Sequence, residues 1–150
     1  MSSVEYRVRV SEYKIEWFNK DGVYHRECGP AVESKGGNKY WYRAGKRHRE
    51  DGPAIVRVNG GQEWYRDGKC HREGGPAVEY PDGYRAWYVD GLCHNDTGPA
   101  KIYSNGTYEW RLFGVAYTEE EWKERTHTCA PIDGLLVTID GKQYTLVEVK

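Results

Sequence analysis

Apolar and aromatic positions fall in columns along this chain. Trp41, Trp64, Trp87 and Trp110 recur every 23 residues, and Pro30, Pro53, Pro76 and Pro99 keep the same step. So do His25, His48, His71 and His94. Trp17 stands one residue further off, because "WFNKDG" is longer by one than "WYRAG". A fixed period in the range of 20–50 residues marks a repeat architecture. Within one period, as in "GGPAVEYPDGYRAWYVDGLCH", short β-compatible runs alternate with turn signals. Ala77–Tyr80 and Tyr84–Val89 are separated by "PDG", and Asp90-Gly91 is a two-residue hairpin signal. No helical apolar period occurs within a unit. The pattern predicts an all-β fold, an antiparallel meander of 23-residue β-hairpin repeats with about two main strands per unit.

The ends of the chain break the pattern. "VEYRVRV" alternates Val4, Tyr6, Val8 and Val10 against Glu5, Arg7 and Arg9, which predicts an N-terminal strand. Thr118 and Glu121 have the spacing of a capping box and predict a short helix. "LLVTIDGKQYTLVEV" predicts a C-terminal hairpin turning at Asp140-Gly141, with Leu135, Val137, Ile139, Tyr144 and Leu146 on one face. The expected organisation is a repeat array over residues 1–117, with four full units and one partial unit, and a cap over residues 118–150. Repeat arrays need such atypical end units.

Alternation places the Trp column on one side of the sheet and Phe18, Tyr42, Tyr65 and Tyr88 on the other. A single sheet with aromatics on both faces needs cover, so we expect a homodimer packed through sheet faces or edges. The Trp column is expected to be largely buried.

Composition narrows the chemistry. Tyr and Trp are abundant, 13 and 6, against 2 Phe, which suits sheet surfaces and binding faces. The net charge of −1 argues against generic DNA binding. The N-terminus has no apolar leader segment and no run is long enough to span a membrane, so a soluble, cytoplasmic protein is expected. Cys28, Cys70, Cys93 and Cys129 form no C-x-x-C pair. Equivalent thiols in adjacent units stand about 9.6 Å apart, at ~4.8 Å per strand. That is too far for a disulfide or a four-ligand zinc site, so free thiols and no metal are expected.

Each unit carries one motif, "GVYHRECGPA", "GKRHREDGPA", "GKCHREGGPA" and "GLCHNDTGPA". It reads first as a corner. His can bond a backbone carbonyl, Gly permits unusual φ, Pro fixes the chain, and Glu27, Glu50, Glu73 and Asp96 are natural partners for the adjacent Arg or His. It also reads as an anion site, with donors from neighbouring units converging on a phosphate or carboxylate. The most basic stretch, Arg43, Lys46, Arg47, His48 and Arg49, puts that site at units two and three. The candidate ligand-binding residues are Arg43, Arg47, His48, Arg49, Tyr65, His71 and Arg72. Asn95 replaces the Arg in unit four, so the site should stop short of it. With no nucleophile elbow, phosphate loop or zinc-helix motif, no catalytic residues and no cofactor are expected.

"WYRDGKCHREGGPAVEYPDG" resembles short MORN-like repeats of the W-Y-x-x-G-x-x-H-R-x-x-G-P-A type, found in tailed phages and large DNA viruses. "GVAYTEEEW" matches the ending such arrays often have. The resemblance covers roughly residues 13–123 and departs from the pattern at Asn95 and in the fifth unit, which stops after Trp110. It implies a β-hairpin sheet with a binding or scaffolding role in a host cytoplasm. Two function classes stay open. One is capture of a small anionic ligand, such as a nucleotide signal of host defence. The other is a protein–protein module that inhibits or scaffolds a host protein.

Overall fold

The structure is a computed structural model that describes residues 5–127, 136–139 and 142–145. The chain divides into two compact units, Met1–Ala116 and Tyr117–Lys150. The first is the repeat array. Its main sheet is an antiparallel meander of eleven strands in the order Arg7–Val10, Lys14–Phe18, Val32–Ser34, Lys39–Tyr40, Ile55–Val56, Gln62–Glu63, Val78–Glu79, Arg85–Ala86, Lys101–Ile102, Tyr108–Leu112 and Val115–Tyr117.

Each full unit contributes more than the two strands its pattern predicts. After Gln62–Glu63 the chain passes through Trp64 into a second, two-residue pairing of Tyr65–Arg66 with Lys69–Cys70. The same step recurs after Trp41 and Trp87. Trp is the joint between the two pairings. The Trp64 N–H donates to the Ala77 carbonyl at 2.8 Å, while its own carbonyl accepts from the His71 N–H at 3.1 Å. Successive hairpins are then linked to each other. The Arg49 N–H donates to the Tyr65 carbonyl and the Gly68 N–H to the Arg47 carbonyl, at 3.2 and 2.8 Å, and unit three repeats this with Tyr88 and Cys70. The hairpins therefore form a second hydrogen-bonded row, so each unit supplies part of its own cover.

Register fixes which side chains line the inner face of the main sheet. Glu16, Val32, Tyr40, Ile55, Glu63, Val78, Ala86, Lys101 and Glu109 are cross-strand partners in turn and share one face. The closed core is made of small residues. Ala31, Ala54, Ala77 and Ala100, the alanines of each Gly-Pro-Ala, are fully buried together with Ile55 and Ala86. The Cys70 and Cys93 thiols lie 3.9 and 3.8 Å from the Ala77 and Ala100 carbonyls. Trp17, Trp41, Trp64, Trp87 and Trp110 are only half-buried. The largely buried tryptophan column expected from the pattern is thus replaced by an alanine column: Trp41, Trp64 and Trp87 sit at the bend where the chain leaves the main sheet, and Trp17 and Trp110 lie half-buried within strands Lys14–Phe18 and Tyr108–Leu112.

In the second unit, helix Glu119–His127 opens on a capping box. The Thr118 N–H donates to Glu121 Oε2 at 2.9 Å and the Glu121 N–H to Thr118 Oγ at 3.2 Å. Arg125 lies over the Tyr117 ring at 4.8 Å. Strands Leu136–Ile139 and Lys142–Thr145 pair antiparallel, with Val137 opposite Tyr144. The predicted turn at Asp140-Gly141, Leu135, Leu146 and Cys129 lie outside the described residues.

Candidate functional site: the His-Arg corners and the clefts between units

The repeated motif builds the same joint four times. Each hairpin turns through two residues of positive φ, such as Asp67 at 49° and Gly68 at 85°, the geometry that favours Asp-Gly. Ala44 and Phe113 adopt it with no side-chain oxygen to help them. In every case the turn is held by the histidine of the preceding unit, nineteen residues back. The backbone N–H of Ala44, Asp67, Asp90 and Phe113 donates to Nδ1 of His25, His48, His71 and His94, at 3.0, 3.1, 3.1 and 3.3 Å. The histidine partner is therefore an N–H of the next unit rather than a carbonyl. This bond assigns the neutral rings a proton on Nε2. In units two and three the Asp67 and Asp90 carboxylates also stand 3.0 and 3.3 Å from the same Nδ1.

The arginine clasps its own unit. The Arg26, Arg49 and Arg72 guanidinium carbons lie 3.9, 4.1 and 3.7 Å from the ring centres of Trp17, Trp41 and Trp64. Each guanidinium also donates to the carbonyl of the proline four residues on, at 3.1, 3.3 and 2.9 Å. The motif glycine gives the guanidinium room, since a Cβ at Gly29 or Gly52 would come within 3.2 Å of it. At Gly52 this close approach, rather than a positive φ, favours glycine, whereas a Cβ at Gly75 would meet the Arg72 guanidinium at an ordinary 3.4 Å. In unit four the Asn95 amide donates to the Pro99 carbonyl at 2.9 Å, so Asn replaces the Arg in that bond.

Clefts open between successive corners. The larger, about 870 Å³, lies between units two and three and is lined by Arg43, His48, Arg49, Tyr65, His71 and Arg72 among others. Six of the seven candidate residues therefore meet there. Arg47 does not line the cleft. It pairs with Tyr42 across the hairpin and lies 5.3 Å from the centre of the Tyr65 ring. The Tyr65 hydroxyl is committed to Glu63, at 3.2 Å, and burial pushes its pKa up to about 12.

The cleft is electrically compensated. Arg43, Arg49, Arg66 and Arg72 face Glu50, Asp51, Asp67 and Glu73. Arg43 bonds Glu50 at 2.8 Å and Asp67 at 3.2 Å, Arg66 bonds Glu73 at 3.2 Å, and Arg49 bonds Asp51 at 2.9 Å. These acids titrate below the ordinary carboxylate range, Glu50 through His48 and Arg43, and Glu73 through Arg66 and His71. Arg66 completes the set in unit three and is absent from the sequence-based candidates. The signal for it was its place two residues after Trp64, matching Arg43 after Trp41.

A second charged feature lies on the inner face and also escapes the motif reading. The residue before each Trp reads Glu16, Tyr40, Glu63, Ala86, Glu109. The Glu16 carboxylate accepts from Arg9 at 2.7 Å, Lys14 at 2.8 Å and the Tyr24 hydroxyl. Glu63, only 6 % exposed, accepts from Arg57 at 2.6 Å and from the Tyr80 and Tyr65 hydroxyls. Glu109 accepts from the Tyr103 hydroxyl, Arg111 at 2.7 Å and Lys101 at 3.2 Å. Arg9 above all holds the Glu16 pKa down at about 2, and Tyr103 with Arg111 does the same for Glu109. For Glu63, burial pushes upward, but Arg57 and the two tyrosines outweigh it and the net shift is down.

Because these three carboxyls titrate lower in the folded chain than in the unfolded one, their stabilisation is complete above their ordinary pKa of 4.5. It is lost as the pH falls from there towards 2. Thermal melts should therefore give a steady midpoint from pH 7 to 5 and a steep fall between about pH 4.5 and 2. A midpoint unchanged down to pH 2.5 would contradict these pairings.

Cys28, Cys70 and Cys93 are free thiols, and burial pushes the Cys70 pKa up to about 12. Among the described residues no group of three or more His, Cys, Asp or Glu is placed to hold a metal ion, and no helix is long and apolar enough to cross a membrane. No family model, no curated protein and no solved structure matches the chain.

Proposed function

We propose that the protein is a non-catalytic binding protein that captures a small anionic ligand of the nucleotide-like class in the cleft between units two and three. The convergence of four arginines and two histidines from neighbouring units on one cleft carries this reading. The resemblance to MORN-like phage and viral repeats suggests a host-defence signal as the ligand and the host cytoplasm as the place of action. The two kinds of arginine play different parts. Arg49 and Arg72 are fixed by Trp and proline carbonyls and shape the cleft. Arg43 and Arg66 stand at its rim, about half exposed and paired with the exposed Glu50 and Glu73, so a ligand competes with those carboxylates for them.

Calorimetric titration with adenine nucleotides tests the reading. Arg43→Ala and Arg66→Ala should each weaken binding about tenfold, since charge-assisted contacts are worth ~1.5–3 kcal/mol. Their melting midpoints should stay near wild type. Nucleotide binding that survives both substitutions unchanged would move the site elsewhere.

A second reading, a protein–protein module acting on a host protein or a second copy of itself, is favoured by exposed apolar side chains. Val10 and Tyr108 stand in the outward row of the main sheet, and Tyr13 and Val58 in turns. Native mass spectrometry separates the readings, with a retained small molecule supporting the first and a stable dimer or host complex the second.

A further inference from the structure

Among the described residues, one buried polar atom of the cleft has no hydrogen-bond partner. His71 is 9 % exposed, its Nδ1 is occupied by the Asp90 N–H, and its Nε2 has no hydrogen-bond partner although it is buried. The Glu73 carboxylate, on a side chain 77 % exposed, is held 3.5 Å from that nitrogen while it bonds Arg66 at 3.2 Å. A buried donor left without an acceptor forfeits a hydrogen bond it had in water, so a stronger acceptor at this point stabilises the site. Unit two has the same three groups in tighter order, with Glu50 at 3.3 Å from His48 Nε2 and 2.8 Å from Arg43. Unit one has Asn19 at the position of Arg43 and Arg66, and unit four has Val89. The arrangement of histidine, rim arginine and exposed glutamate is therefore confined to the two units that share the large cleft.

Resting on the reading of this cleft as an anion site, we infer that these two arrangements are a pair of phosphoryl subsites, in which Glu50 and Glu73 are internal carboxylates that a ligand's phosphoryl oxygens displace. A phosphoryl group offers three acceptor oxygens, enough to take the His71 Nε2–H and the Arg66 guanidinium together, where one carboxylate oxygen now falls between them. The two subsites are one repeat apart, about 9.6 Å at ~4.8 Å per strand. The ligand class that fills both carries two phosphoryl groups at opposite ends of a small skeleton. A lone phosphate fills one.

The exposed glutamates make the idea testable without disturbing the corner. The probes are inorganic phosphate and a hexose 1,6-bisphosphate, titrated calorimetrically into the full chain. Glu73→Gln and Glu50→Gln remove the competing charge and should each tighten phosphate about fivefold or more. Glu27→Gln, the same charge change in unit one, should leave affinity within about twofold. The bisphosphate should bind at least about tenfold tighter than phosphate, because its second contact is intramolecular. The imidazole proton signal of His71 should shift on phosphate addition. If wild type binds adenine nucleotides but Glu73→Gln binds phosphate no tighter, or Glu27→Gln gains as much, the displaced-carboxylate proposal is wrong while the cleft reading stands. If neither wild type nor the glutamine variants bind any phosphate or nucleotide probe, both fail.

Discussion

Replacing Glu63 by alanine should cost about 3 kcal/mol, as expected when a buried carboxylate that satisfies a half-exposed guanidinium and two hydroxyls is removed. Glu63 lies on the inner face of the main sheet between Ile55 and Val78, and it gathers three donors from three different turns and strands, Arg57, Tyr65 and Tyr80. Alanine leaves the guanidinium without its counter-charge and two hydroxyls without their acceptor. A chain of about 150 residues loses roughly 2–4 °C of midpoint per kcal/mol, so the melt should fall by about 6–12 °C. Glutamine should recover only part of this, because the tyrosines donate to different carboxylate oxygens and the amide keeps one acceptor oxygen. The variant should also lose part of the acid transition below about pH 4.5. Equal melts for Glu63→Ala and wild type would mean that the inner carboxylates are bystanders.

Ala77→Leu should cost about 3 kcal/mol for the opposite reason, because extra methylenes forced into a closed site displace side chains and backbone. Ala77 is fully buried, its N–H donates to the Ala86 carbonyl at 2.8 Å, and its carbonyl takes the Trp64 N–H. The backbone is pinned on both sides and the Cys70 thiol lies against it. Serine at the same position should be far milder. Denaturant titration measures both, and a leucine variant as stable as wild type would show that the alanine column has spare room.

These two residues mark what the sequence does and does not disclose. The period, the Asp-Gly turns, the N-terminal strand and the capping box at Thr118 are local signals, and the fold class follows from them. The turn of the second hairpin was legible at Asp90-Gly91, but its separation from the main sheet was not, because strands of two residues carry no alternation to read. Taking Trp as an ordinary strand residue led to a tryptophan core, whereas the bend at Trp41, Trp64 and Trp87 leaves the motif alanines, with Ile55 and Ala86, in the closed core. The arginine clasp could not be read from spacing. Trp64 and Arg72 are eight residues apart, and only closure of the hairpin between them stacks one on the other. The candidate cleft was legible as a basic cluster at Arg43–Arg49, but its neutrality was not. Asp67 reaches Arg43 across twenty-four residues, and Glu73 reaches Arg66 across the hairpin. Glu63 was legible only in the column of residues that precede the tryptophans.

The central claim is that the His-Arg-Gly-Pro-Ala motif closes each unit and that recognition belongs to its rim. Parallel thermal melts of Arg72→Ala and Arg66→Ala test it most directly. Arg72 stacks on Trp64 and bonds the Pro76 carbonyl and Glu79 at 2.9 and 2.7 Å, whereas Arg66 bonds the exposed Glu73 at 3.2 Å. Arg72→Ala should lower the midpoint by about 5 °C or more, from the loss of a cation–π contact and charge-assisted bonds worth roughly 2 kcal/mol together. Arg66→Ala should shift it by less than about 2 °C, as for an exposed pair. An unchanged midpoint for Arg72→Ala, or a larger drop for Arg66→Ala, would contradict the account.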